Sequence, residues 1–236
     1  MRFFWVKWIF VTFFVVSLQA SSLPDFSLQY KSQASQDRFV YTILYGFLKQ
    51  EGPGTYLEIG AGHPVHLSNT CFLETCLGWK GISIDNDTRY QLLWDDIRHN
   101  PLLIADATTL DYASILQNSP KHIDYLSLDI DEAYDVVLRQ LPLNEYRFKV
   151  ITIEHDAYRY GDLYRLAERQ ILTSLGYELL FPDVCSNGLQ FEDWWIDPSF
   201  FPTSVLSQLK KHNCFQREHK IVTMLLSAIL ESNKTN

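Results

Sequence analysis

Six short apolar runs recur along the chain at residues 56–59, 81–84, 102–105, 125–128, 150–153 and 177–181. Each pair of neighbours is separated by a segment long enough for a helix. Strands that alternate with helices pair in parallel through right-handed crossovers, and the helices cover both faces of the sheet. The clearest helix spans residues 162–175, where Leu163, Leu166, Ala167, Ile171 and Leu175 recur at steps of three and four. Gly176 then serves as its C-terminal cap. A seventh run at residues 191–196 leaves no room for a helix after the sixth, which predicts an antiparallel last strand. The expected fold is a doubly wound, Rossmann-like α/β sandwich on a mostly parallel seven-stranded sheet. Residues 181–190, with Pro182, Asn187 and Gly188, read as a loop at the strand ends.

The start of the chain stands apart. Arg2 and Lys7 precede an almost wholly apolar stretch that ends in small residues at Ala20 and Ser21. This pattern predicts a signal peptide over residues 1–20, a linker over 21–31 and one domain over 32–236. The apolar stretch falls short of the ~20 residues that span a bilayer comfortably. The expected destination is therefore the periplasm or the medium, with no stable membrane partner after cleavage. An uncleaved anchor is the alternative. Net charge is −8 and no basic run occurs, which argues against a nucleic-acid partner. Of the cysteines, Cys185 and Cys214 are the one pair considered for a disulfide, against four buried thiols, and no Cys/His spacing suggests zinc.

The first run leads into "YLEIGAGHPVHLSNT" at residues 56–70. A dinucleotide turn wants a third glycine, and Val65 stands there instead. Glu58, Asp85 and Asp106 fall near the ends of the first three runs. In such sheets ligands bind outside the carboxyl ends of the strands. An acid repels a pyrophosphate and attracts an ammonium or sulfonium. An acid after the second strand can accept from a ribose diol, and one after the third can reach an adenine amine. Three acids with one G-x-G at Gly60 and Gly62 therefore fit S-adenosylmethionine better than a nicotinamide dinucleotide.

Several collinear blocks carry a resemblance. "SQASQD" (32–37), "YLEIGAGHPVHLSNTCFLE" (56–74), "LGWKGISID" (77–85), "YLSLDID" (125–131), "ITIEHD" (151–156), "LGYEL" (175–179) and "EDWWI" (192–196) stand in order over residues 32–197. Together they resemble the FkbM-type family of class I, S-adenosylmethionine-dependent methyltransferases. The resemblance implies a methyltransferase-like domain that transfers a methyl group to a hydroxyl of a sugar, glycan or other small polar acceptor. Three positions depart from the family pattern: Ser35 and Glu132 replace glycines, and His63-Pro64 follow the turn. A non-catalytic exported binding module that retains the fold is the alternative.

Methyl transfer to a hydroxyl needs alignment of the acceptor oxygen and removal of its proton. Asp129 and Asp131 end the fourth run two apart, and Glu154, His155 and Asp156 end the fifth. Two arrangements are open. In one, Asp129 holds the methionine end or the substrate while His155 acts as general base. In the other, Asp129, Asp131 and Glu154 hold a divalent cation through oxygen ligands. A purely structural role, with Asp131 capping the next helix, is the third reading.

Overall fold

A computed structural model describes residues 23–211 and 217–235. The expected signal peptide and Cys214, and with it the Cys185–Cys214 pair, lie outside the described residues. Seven strands form one sheet: β1 (Thr55–Ile59), β2 (Lys80–Asp85), β3 (Leu102–Ile104), β4 (His122–Leu128), β5 (Arg147–Glu154), β6 (Glu178–Ser186) and β7 (Leu189–Ile196). Their order is β3-β2-β1-β4-β5-β7-β6. Neighbours from β3 to β5 pair in parallel, while β7 runs antiparallel to both β5 and β6. All seven predicted runs lie on these strands to within a residue at the ends. Strand order reverses between β1 and β4, so the crevice for a ligand opens at their carboxyl ends.

Helix α1 (Gln36–Tyr41) runs on into a π-helical turn, and α2 (Cys71–Leu77), α3 (Tyr90–Ile97), α4 (Tyr112–Leu116), α5 (Tyr134–Gln140), α6 (Ala157–Tyr160), α7 (Leu163–Ser174), α8 (Thr203–Lys210) and α9 (Glu218–Thr235) follow. Side chains alternate across each strand, so each strand feeds two cores. Tyr56, Tyr125, Val150 and Trp194 pack with Phe39, Phe72 and Leu225 on one face. Leu57, Leu126, Ile151 and Trp195 pack with Tyr134, Val137 and Leu172 on the other. Adjacent Trp194 and Trp195 thus enter opposite cores, both fully buried. Burying one large apolar side chain contributes roughly 1.5–3 kcal/mol. Among the described residues no helix is long and apolar enough to cross a membrane.

Three expectations change. Residues 181–190 are not a loop. β6 and β7 continue through them as a bulged hairpin whose turn is Asn187-Gly188, with φ of 51° and 85°. An Asn-Gly pair takes two positive φ values at low cost, and was the signal in the sequence. Helix α7 buries only the second half of the expected face, where Ile171 and Leu175 pack on the core. Leu163 and Leu166 are 65% and 56% exposed, while Glu168 and Leu172 are fully buried. The part of the expected linker that is described packs on the domain: Phe26 and Tyr30 lay their rings against Phe72, 5.3 and 4.6 Å away.

Candidate functional site

At the switch point lies a cavity of about 680 Å³. This is within the ~300–1,000 Å³ typical of small-molecule sites. Its floor is the turn after β1. Gly60 has φ +86°, and a Cβ there would stand 1.6 Å from the Asp129 carbonyl oxygen. Only glycine lets the ends of β1 and β4 approach this closely. The N–H groups of Gly60 and Ala61 both donate to the Ile84 carbonyl at 2.9 and 3.0 Å, which fastens the turn to β2. Gly62 follows with φ +58°, and its N–H donates to Asp85 Oδ2 at 2.7 Å.

Six carboxylates line the cavity: Asp85, Asp87, Asp106, Asp129, Asp131 and Glu132. No Lys or Arg does among the described residues. Asp85 takes the Gly62 N–H on one oxygen and the Asp87 N–H, at 2.8 Å, on the other. An ionised carboxylate accepts about four hydrogen bonds, so each oxygen retains capacity toward the cavity. Asp106 is exposed, and hydrogen bonds from Thr108 hold its carboxyl below the usual range. Gln33 completes the rim. The block around it is scaffolding: Asp37 accepts from the N–H groups of Lys31 and Ser32 and from the Ser32 hydroxyl. Ser35, standing where the family pattern has glycine, adopts the left-handed conformation with φ 66°.

Glu58 is not at the cavity. It precedes the last residue of β1 and points beneath the turn, 2% exposed. Its Oε2 accepts from Thr70 and Ser83 hydroxyls, each at 2.7 Å. Burial raises its pKa, and nearby Arg98 opposes the rise. Arg98, 3% exposed, organises the whole layer. It donates to Glu74 at 2.8 Å, to the Thr70 hydroxyl at 2.7 Å and to the Pro64 carbonyl at 3.0 Å. Asn69 reaches Ser127 on β4 at 3.0 Å. The Ser-Asn-Thr stretch is therefore a polar seal between α2 and the sheet, and Arg98 ties the site's loop to that seal. Burial raises the Glu74 pKa, but Arg98 and two backbone N–H groups more than reverse this, leaving it lowered. No local signal marked Arg98, because its partners are scattered across three elements.

The β4–β5 end is different. Asp129 lines the cavity and shares a hydrogen bond with Glu154. Two carboxylates in contact need a proton between them. Burial, then the bond to Asp129, pushes Glu154 far above the carboxylate range, and burial also raises Asp129. The Tyr134 hydroxyl donates to Glu154 at 3.3 Å. Asp156 is 2% exposed, and its Oδ1 has no hydrogen-bond partner among the described residues. Asp131 and Ala133 both hold positive φ, 63° and 60°, around Glu132, which does not. The strain the missing glycine would have absorbed passes to its neighbours. Asp131 caps no helix, since Ala133 occupies the N-cap of α5 without a side-chain bond.

The expected cation triad is not assembled. Among the described residues Asp129, Asp131 and Glu154 do not converge as ligands, and the group that does is His155, Asp183 and Asp193. That group is already neutralised: Arg169 donates to Asp193 at 2.6 and 2.8 Å, and Arg165 donates to Asp183 at 2.7 Å. Burial raises the Asp193 pKa, and the Arg169 and His155 contacts outweigh it, so the carboxyl lies well below its ordinary value. His155 is likewise displaced from the cavity. β7 returns over it, and its N–H donates to the Phe191 carbonyl at 2.6 Å. The imidazole is fully buried, its Nδ1 accepts from Ala157 N–H at 3.1 Å, and its Nε2 lies 3.5 Å from Asp193. It is not among the residues that line the cavity.

A chamber with six carboxylates and no Lys or Arg among its described lining residues suits a ligand with cationic and hydroxyl groups and repels a pyrophosphate. No family model matches the chain, and no curated protein is significantly similar to it. Among solved structures, cofactor-bound Rv0187 from MTB aligns with TM-score 0.50 and 17% identity, over 72% of this chain and 85% of that one. The CurJ carbon methyltransferase aligns with TM-score 0.46 and 14% identity, over 70% and 55%. The METTL16 methyltransferase domain aligns with TM-score 0.45 and 14% identity, over 70% and 66%. At such identities the likeness is one of fold. The chain has a seven-stranded Rossmann-like architecture with its last strand antiparallel.

Proposed function

We propose that the protein is an FkbM-type, S-adenosylmethionine-dependent methyltransferase acting on a hydroxyl of a sugar or other small polar acceptor. One observation carries the reading: the switch-point cavity presents six carboxylates and no Lys or Arg among the described residues. The cofactor would supply an electrophilic methyl group on a sulfonium. Asp85 has hydrogen-bonding capacity left for a ribose diol, Asp106 for an adenine amine, and Asp129 for the methionine ammonium. Gly60 keeps the ends of β1 and β4 close, and the Gly62 N–H holds Asp85 in place. With His155 buried away from the cavity, the acceptor's proton would pass to one of the carboxylates that line it. Export through residues 1–20 remains part of the proposal, and sequencing the mature N-terminus checks it.

Thermal unfolding with and without S-adenosylmethionine tests the core of this reading. A ligand that binds the native state raises the melting temperature, by an amount set by its concentration over Kd. The wild type should be stabilised, and Asp85→Ala should lose most of the shift while still unfolding cooperatively. A wild type that gains nothing at saturating cofactor would favour the non-catalytic module instead.

A further inference from the structure

We infer that His63 is the donor that binds the cofactor's carboxylate, so that the methionine end is held between His63 and Asp129. The inference rests on the methyltransferase reading and gives a role to a position at which the chain departs from the family pattern. It starts from charge. S-adenosylmethionine brings a carboxylate as well as an ammonium and a sulfonium, and the six carboxylates around the cavity repel that group. No Lys or Arg among the described lining residues offsets the repulsion. His63 and His66 are the two lining side chains that offer a ring N–H instead.

The constraints on His63 leave one atom of its ring unused. Before it, the Gly62 N–H donates to Asp85 Oδ2 at 2.7 Å; after it, the Pro64 carbonyl accepts from Arg98 at 3.0 Å. Its Nδ1 accepts from the N–H groups of Val65 and His66, at 3.1 and 3.0 Å. A ring nitrogen that accepts carries no hydrogen, so these bonds set the tautomer and leave the hydrogen on Nε2. The ring also meets Tyr90, another lining residue, edge to face with centroids 6.1 Å apart. Nε2 has no hydrogen-bond partner among the described residues. A donor already oriented by the fold gives up little freedom on binding. His66 lacks this preparation: it is exposed, and no hydrogen bond among the described residues fixes its ring. Asp129 meets the same turn from β4, its carbonyl oxygen beside Gly60. An α-amino acid carries its ammonium and carboxylate on one carbon, which suits an acid and an N–H donor brought to one turn, and hydrogen bonds to the charged forms are the strong ones.

The test titrates the full chain by calorimetry with S-adenosylmethionine and with its decarboxylated analogue, which lacks only the carboxylate. The analogue has the higher net positive charge, so an acid-lined chamber without a carboxylate donor must prefer it. The wild type should instead bind S-adenosylmethionine at least about tenfold more tightly, about 1.4 kcal/mol. His63→Ala should reverse that order, and His63→Gln, which keeps an N–H donor, should restore part of it. Circular dichroism confirms that each variant folds; should His63→Ala not fold, the wild-type order and His63→Gln still decide. A wild type that prefers the analogue or binds the two alike overturns the inference and leaves the methyltransferase reading standing. A His63→Ala variant that weakens both ligands equally does the same, because His63 then grips a part they share. Loss of the preference in His66→Ala but not in His63→Ala also overturns it. If the wild type binds neither ligand, the broader reading has failed and takes this one with it.

Discussion

The two halves of the sheet bury acids in opposite ways. Under the β1–β2 half, the Arg98 guanidinium binds Glu74 and lies close enough to Glu58 to oppose the effect of its burial, while hydroxyl and backbone donors satisfy both acids. In the β5–β7 half, Asp193 is matched by Arg169, but Glu154, Asp156, Glu168 and Glu192 have no cation bound to them among the described residues. The contrast separates two uses of a buried carboxyl. A matched acid fixes geometry and stays ionised. An unmatched acid keeps a proton or waits for a donor from outside. The first half therefore shapes the cofactor turn, and the second is where charge can change.

The largest break in the comparison should come from Arg98→Met. Arg98 is nearly fully buried and bonds Glu74, Thr70, Tyr56, Ser68 and the Pro64 carbonyl. Removing one member of a buried ion pair strands the other charge and costs about 3–5 kcal/mol. Denaturant unfolding should show a loss of that order, with the melting temperature falling accordingly. A loss under about 1 kcal/mol would mean that the first half is no better matched than a surface pair.

The second half should reveal itself through pH. Glu192 is 2% exposed, and burial pushes its carboxyl up to about 8, against hydrogen bonds from Trp194 and Gln36. The unfolded value is near 4.3. The folded chain thus binds more protons than the unfolded chain between these values, and stability must fall as pH rises through that window. Burial raises Glu154 and Glu168 in the same direction. Unfolding free energy at pH 5 should exceed that at pH 8 by on the order of 3 kcal/mol. Glu192→Gln keeps the size and the oxygen acceptor but cannot ionise. It should flatten part of that slope and be the more stable protein at pH 8. A wild-type curve that is level or rises from pH 5 to 8 would erase the proposed difference between the halves.

A smaller effect should follow at the seam. Gly60→Ala places a methyl group 1.6 Å from the Asp129 carbonyl oxygen at a backbone φ of +86°. Overpacking and left-handed strain together predict a loss of about 2 kcal/mol. Because β1 and β4 must part, stabilisation by S-adenosylmethionine should weaken as well. Gly62→Ala meets no atom within 4 Å and carries only the φ penalty. Equal losses in the two variants would show that close approach at Gly60 is not what the site depends on.

How much of this was legible in the sequence depended on whether the deciding contact was local. Strands buried on both faces read as apolar runs, and the acids that end β2 and β4 could be placed at the cavity from position alone. Glu58 could not. It stands one residue before the end of β1, so the pleat turns it with Tyr56 toward α2 instead of outward, and Arg98 receives it from the far side of α3. His155 follows β5 by one residue, and only the return of β7 buries it. That pairing joins segments 36 residues apart, with no mark in either. Ser35 in left-handed backbone was equally hidden, since serine does not advertise a positive φ.

The smallest predicted effect concerns α7, where the pattern itself misled. Leu163 and Leu166 were expected inward, yet both are mostly exposed, while Tyr164, Glu168, Ile171 and Leu172 turn toward the sheet. A charged residue type at the centre of the buried stripe broke the apolar count, and Trp195 Nε1 lies 3.4 Å from Glu168 Oε1 to receive it. Leu166→Gln should therefore change stability by no more than about 0.5 kcal/mol, as surface substitutions do. Leu172→Ala, one turn and a half further on, should cost about 2–5 kcal/mol. The pair of measurements decides which face of α7 meets the second half of the sheet. If Leu166→Gln costs as much as Leu172→Ala, Glu168 faces water, and the β5–β7 half loses one of the unmatched acids that set it apart.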